Sequence, residues 1–371
     1  MNKKLISLLL SAALAVSMLT VPAFAAEGGE ADAALDETNE VVVTLGDTVT
    51  ASTVEDTDKA AADKTAADKT ETADSAPAAS TEKKQITYVA LGDSIVAGVG
   101  LADVKYAKDS TTLYSVDMSP NFKGYSPDCY VGKVATMMGL DRDHAINLGL
   151  PALTAPDLAD MVRDGQMPKM NMESGCWYKY PEFQEYIRKA DVVSVKIGSN
   201  DAFVPCIVAL GNATNWKSEA LAASVLAGDL RASGSPAAAL IQGIKDMHLT
   251  RDERNATWNL LTSEMGKICD RIYPQTTAGL ISVVQEIRKL NPDCQILLMG
   301  YTDPVPFVPC WHNYFKKLNK FEKQLAETYD LTYVAIPKAK TDLDVHPTIS
   351  GHEYIAKKIV NSIELPEDSA Q

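Results

Sequence analysis

The stretch Ile86-Thr87-Tyr88-Val89-Ala90-Leu91-Gly92-Asp93-Ser94-Ile95-Val96-Ala97-Gly98 decides how the rest of the chain is read. A short apolar run, too brief for a core helix, ends at Gly92-Asp93-Ser94 and leads directly into a second apolar group. That is the pattern of a buried strand turning into a helix. It places the Ser94 hydroxyl where backbone N–H groups are free and the helix dipole favours negative charge. Taken alone, such a serine is an ordinary helix cap.

Four further apolar runs follow, from His144 to Leu148, Val192 to Ile197, Ile296 to Met299 and Leu331 to Ile336. Amphipathic stretches lie between and after them: Tyr130 to Met138, Pro156 to Val162, Thr276 to Leu290, Trp311 to Tyr329 and Ile349 to Ile363. This alternation predicts an α/β fold with three layers, in which helices cover both faces of a five-stranded, parallel, doubly wound sheet. The third and fourth runs are about 100 residues apart, far more than one crossover helix needs. The surplus, Ser218 to Leu226, Pro236 to Met247 and Arg251 to Ile272, predicts a helical insertion between the third and fourth strands, serving as a lid or as an extra packing layer.

The first 25 residues have the form of a signal peptide: Lys3 and Lys4 precede an apolar run from Leu5 to Val21, and Ala23-Phe24-Ala25 supplies the small residues that a signal peptidase reads. Export is therefore expected, to a secreted or cell-surface location, without stable membrane insertion after cleavage. Residues 26–85 form an acidic linker or pro-region that is expected to be disordered. They lack aromatic residues, repeat Ala-Ala-Asp-Lys-Thr at 61–65 and 66–70, and bury too little apolar surface to offset their ordering entropy. One strand-like stretch, Val41-Val42-Val43-Thr44-Leu45, stands out within it.

The net charge of the whole chain is −14. About −10 of this falls in the linker and about −6 in residues 86–371, so the folded part has no basic face for a nucleic acid and no electrostatic route to anionic lipid. All 6 cysteines lie in that part. Export permits disulfides, and a Cys206–Cys269 bridge is expected to tie down the insertion. No Cys-x-x-Cys pair points to zinc.

In a doubly wound sheet, ligands bind beyond the carboxyl ends of the strands. The first run ends at Gly92-Asp93-Ser94 and the third at Gly198-Ser199-Asn200-Asp201, while Asp342-Leu343-Asp344-Val345-His346-Pro347 precedes the last helix. In this order the three pieces resemble the GDSL, or SGNH, hydrolase family across residues 86–364. The stretch Ile146-Asn147-Leu148-Gly149-Leu150-Pro151-Ala152-Leu153-Thr154 resembles the family's second block.

The resemblance implies a flavodoxin-like SGNH fold and a serine hydrolase of carboxylic esters. Ser94 falls on the family's nucleophile, His346 on its general base, and the Ser94 N–H, the Ala152 N–H and the Asn200 side chain on its oxyanion hole. Ala152 stands where the family places a glycine, and Gly149 is the alternative donor. The family's acid lies three residues before the histidine, where this chain has Leu343. Asp344 is expected to orient His346, with Asp342 as runner-up.

No metal or organic cofactor is implied. Expected substrates are short-chain or lipid esters, or acetyl groups on glycans. A silent carbohydrate- or surface-binding module on the same fold is the alternative, against which the joint presence of Ser94, Asn200 and His346 weighs. Oligomeric state is not legible. Trp177, Tyr178 and Tyr180 are candidates for a substrate groove or for a packing cluster.

Overall fold

The computed structural model describes residues 85–104, 122–226, 233–304, 309–341 and 346–364. The signal segment, residues 26–84 of the linker, and Asp342, Leu343 and Asp344 lie outside the described residues.

All five apolar runs form strands: β1 (Tyr88–Gly92), β2 (Ala145–Gly149), β3 (Val192–Lys196), β4 (Gln295–Met299) and β5 (Thr332–Val334). They pair in parallel in the order β2-β1-β3-β4-β5. After β1 the chain moves to one side to lay down β2, then crosses back to place β3 on the other side. The carboxyl ends of β1 and β3 therefore flank the point where connections diverge, the crevice in which such sheets bind ligands. The first three strands are buried along their whole length, and this is why they read as continuous runs instead of alternating ones.

The helices are α1 (Ser94–Ala97), α2 (Tyr130–Met138), α3 (Ala155–Asp164), α4 (Glu182–Lys189), α5 (Ser199–Ala213), α6 (Glu219–Leu226), α7 (Pro236–Asp246), α8 (Arg251–Asn259), α9 (Met265–Leu290), α10 (Pro309–Thr328) and α11 (Ile349–Val360). Helix α2 packs on α11, and α3 packs on α9, which also touches α10. The expected insertion between the third and fourth strands is present as α5 to α9.

Two helices lie outside the expected amphipathic stretches, α4 and α5. Pro205 lies inside α5 and removes one backbone donor, a local cost that burial of Phe203, Cys206, Ile207 and Leu210 outweighs. The expected break between Ile272 and Thr276 is absent for the same reason. A π-helical turn, Leu260–Glu264, joins α8 to α9, and α9 runs on through Pro274. Its contact with α3 is so close that a side chain on Gly279 would come within 2.7 Å of the Pro156 nitrogen.

All six cysteines are free thiols, so the expected Cys206–Cys269 bridge is not formed. The placement behind the expectation is nonetheless sound, because the Cys269 thiol interacts with both Cys206 and Cys310. Among the described residues no helix is long and apolar enough to cross a membrane.

Gly92 is where the sheet tolerates least change. Its φ is +151°, and a Cβ there would sit 2.0 Å from the Lys196 carbonyl oxygen and 2.6 Å from Val96 Cγ2. Gly92→Ala is expected to cost about 3 kcal/mol through backbone strain and overpacking. Urea denaturation measures this, and an unchanged midpoint would contradict the close approach.

Candidate active site

The Asp93 side chain caps α1, accepting the Ile95 N–H at Oδ1 (3.0 Å). This fixes the turn in which Ser94 begins the helix. The Ser94 side chain is almost buried, at 7% exposure. Its Oγ lies 3.0 Å from Nε2 of His346. That histidine, 252 residues away in sequence, is itself buried. It precedes Pro347 and α11, whose first turn is capped by the Thr348 hydroxyl accepting the Gly351 N–H. Thr348 also donates its N–H to the Lys340 carbonyl (2.8 Å), closing the loop that ends in α11.

The second block forms the adjacent wall. Asn147, a polar residue inside the buried strand β2, donates from Nδ2 to the Val96 carbonyl (2.8 Å) and accepts the Gly149 N–H at Oδ1 (2.9 Å). Sequence reading passed over this residue as part of a strand. The signal was present, since an amide in a fully buried strand must find partners. The Gly149 N–H, one of the two candidate donors, is thus taken. Gly149 is instead a contact glycine, where a Cβ would meet the Ala97 nitrogen at 2.3 Å.

Ala152 takes the conformation that its alignment with a glycine implies. Its φ is +61°, in the left-handed region, at a cost of about 1 kcal/mol for a residue with a Cβ. Tyr178 supports this turn from outside, donating its hydroxyl to the Pro151 carbonyl (2.9 Å). Tyr178 and Tyr180 stack with centroids 6.1 Å apart, and Tyr180 meets Phe122 edge-on at 5.2 Å. These two tyrosines thus belong to a packing cluster, whereas Trp177 is half exposed at 49%.

From the β3 side, the buried Asn200 amide donates to the Leu153 carbonyl (3.0 Å), which brings it against the Ala152 turn. An amide nitrogen carries two hydrogens, and the second is not needed for this bond. Its neighbour Asp201 accepts the Ala155 N–H (3.0 Å), joining the start of α5 to that of α3. Ser94, Ala152, Asn200 and His346 therefore come from four separated segments at one end of the sheet, the first turns of α1 and α5 and the loops at Ala152 and His346. Asp344 and Asp342 lie outside the described residues. Of the other histidines, His352 is buried and accepts the Tyr130 N–H at Nδ1 (3.2 Å), a structural role. Among the described residues no cluster of three His, Cys, Asp or Glu side chains could hold a metal.

A family model for the GDSL-like lipases and acylhydrolases matches residues 90–354. The chain belongs to this family. Membership makes it an ester hydrolase at the level of the family. No curated protein matches significantly. Solved structures with a similar fold include a lipase from a goat rumen metagenome, at 15% identity over 75% of this chain and 97% of that one, with a TM-score of 0.41. An extracellular lipase from Streptomyces rimosus matches at 13% identity over 75% of this chain and 100% of that one, with a TM-score of 0.41. A carbohydrate acetylesterase from Sinorhizobium meliloti matches at 13% identity over 75% and 97%, with a TM-score of 0.39.

One group in this GDSL-like site has a clear pH signature. Burial pushes the Asp201 carboxyl up from 3.8 to about 7, against the opposing bonds from Ala155 and Thr276. Because the folded-state value lies above the unfolded one, the folded protein holds this proton between pH 3.8 and about 7. The group's contribution to stability is therefore best at low pH and declines as pH rises through 7. Asp201→Asn, which can still accept from Ala155, is expected to add on the order of 2 kcal/mol at pH 8 and almost nothing at pH 4. Melting curves at both pH values check this, and a gain independent of pH would show that ionisation of Asp201 is not the cause.

Proposed function

We propose that this chain is an exported serine esterase that hydrolyses carboxylic esters through an acyl-enzyme on Ser94. The reading rests on one observation above all, the 3.0 Å contact between Ser94 Oγ and His346 Nε2. A serine hydroxyl is a weak nucleophile until an adjacent imidazole takes its proton. In this scheme Ser94 Oγ attacks the ester carbonyl while His346 accepts the hydroxyl proton. The tetrahedral oxyanion is met by the Ser94 N–H, the Ala152 N–H and the Asn200 amide. Collapse expels the alcohol, which takes the proton from His346. A water molecule, deprotonated by the same imidazole, then releases the acid and restores Ser94.

Asp344 orients the imidazole in this scheme, two residues before it in sequence. The substrates are lipid or short-chain acyl esters, or acetyl groups on a glycan. Export rests on the form of residues 1–25.

A fluorophosphonate probe and a panel of p-nitrophenyl esters of rising chain length, set beside acetylated xylan and phospholipid, test the scheme. Ser94→Ala is expected to lose both labelling and hydrolysis while keeping its melting temperature. Asn200→Ala should slow catalysis by roughly 100- to 1000-fold. An adduct on another serine, or an unaffected Asn200→Ala rate, would remove the corresponding assignment. Asp344→Asn is expected to cost about 10⁴ in rate; a collapse confined to Asp342→Asn would transfer the role, and normal rates in both would assign it to a main-chain oxygen.

A further inference from the structure

We propose that Lys196 is a positioning residue for the nucleophile turn, its ammonium balancing the buried Asp93 carboxylate that holds Ser94 in place. The inference builds on the reading of Ser94 as nucleophile. Lys196 is the last residue of β3 and is buried, with 1% exposure. Its neighbours along the strand are apolar or, like Ser194, satisfied by a neutral hydrogen bond, here 2.7 Å to the Tyr88 hydroxyl. A lysine in such a place needs a charge partner, because an unpaired buried ammonium is costly.

Two carboxyl groups attract it, Asp93 and Glu322, and their surroundings differ. Asp93 is fully buried and receives three donors: the Ile95 N–H at Oδ1 (3.0 Å), and the Ser199 hydroxyl (2.7 Å) and Tyr301 hydroxyl (3.4 Å) at Oδ2. Three donors are what an ionised carboxylate requires. Glu322, on α10, is equally buried, but neither of its oxygens has a hydrogen-bond partner among the described residues. Burial pushes its carboxyl well above the usual range, so it keeps its proton. One carboxylate and one ammonium remain, and they neutralise each other beneath Ser94.

The ammonium is also held in position. Nζ sits 3.2 Å from the Tyr301 ring centroid and donates to the Gly300 carbonyl at 3.4 Å. Tyr301 thus touches both charges, through its ring to Lys196 and through its hydroxyl to Asp93. The cavity bordered by Lys196, Ser199 and Tyr301 has about 20 Å³, the room of a single water. The further titratable groups are Tyr130 beside Asp93 and Tyr273, Tyr314 and Tyr333 around Glu322, all neutral below the tyrosine range, and His346, which meets Ser94.

Burial lowers Lys196 from 10.5 to about 8. The folded protein therefore gives up this proton earlier than the unfolded chain, and the group's contribution to stability rises between pH 8 and 10.5. Activity moves in the opposite direction, because the neutral amine leaves Asp93 unbalanced and the turn free to shift. The signature is an alkaline decline in kcat near pH 8, in protein that remains folded.

The test uses the full folded protein with Lys196→Met, Lys196→Arg and Glu322→Gln, followed by p-nitrophenyl acetate kinetics from pH 6 to 10 and melting curves at each pH. Lys196→Met is expected to lower kcat about 100-fold with little change in KM, the effect of a misplaced reacting group, and to lose the decline near pH 8. Lys196→Arg should recover most of kcat and carry the decline beyond pH 10, since guanidinium keeps its proton. Glu322→Gln should match the parent at pH 7. Should Lys196→Met fail to fold, the Arg variant decides through its pH profile. A parent profile that is flat to pH 10, an unmoved decline in Lys196→Arg, or parent-like kcat in folded Lys196→Met would each overturn the role. Fluorophosphonate labelling separates this from failure of the parent reading, because a serine other than Ser94 would then carry the adduct.

Discussion

Everything at the active end of the molecule depends on how closely β1 and β3 approach at Gly92. In the parallel register Gly92 stands opposite Lys196 on one side and Gly149 on the other. No side chain fits at that point, since a Cβ would lie 2.0 Å from the Lys196 carbonyl. The absence of one lets the chain turn sharply from strand to helix and leaves Ser94 at the crest of the sheet. Gly149 plays the matching part against α1. Two contact glycines thus fix the height of Ser94 above the strands.

Around that crest the loops are joined by polar groups that reach across, with little contribution from apolar contact. Asn147 ties β2 to the end of α1, Asn200 ties α5 to the Ala152 turn, and Asp201 ties α5 to α3. Each bond satisfies a backbone group that burial would otherwise leave unpaired. The strained Ala152 conformation persists because Tyr178 and Asn200 hold the residues on either side of it.

The insertion shows tertiary packing overriding local preference. Pro205 and Pro274 both lie inside helices, and the helices continue because their apolar faces are buried against one another, α3 and α10. Three cysteines, Cys206, Cys269 and Cys310, meet where α5, α9 and α10 converge. Hydrogen bonding between Cys206 and Cys269 and between Cys269 and Cys310, with burial added, pushes the Cys269 and Cys310 thiols up, which favours the protonated, unreactive form.

The sequence by itself determined the fold class and the family motifs. Five buried strands must be continuously apolar, and motifs such as Gly92-Asp93-Ser94 and Gly198-Ser199-Asn200-Asp201 occupy the strand ends where such sheets place their sites. Only the tertiary structure decided which groups face one another. The Gly149 N–H, for example, is taken by Asn147 Oδ1, and no spacing rule encodes that. Asp93 and Ser199 stand in the motifs at the strand ends, Lys196 in the third apolar run and Tyr301 just past the fourth, yet Ser199 and Tyr301 both donate to Asp93 and Lys196 sits over the Tyr301 ring. Their separation in sequence reaches 208 residues, and at such distances a polar side chain's partner is set by strand order and register, which exist only once the chain has folded.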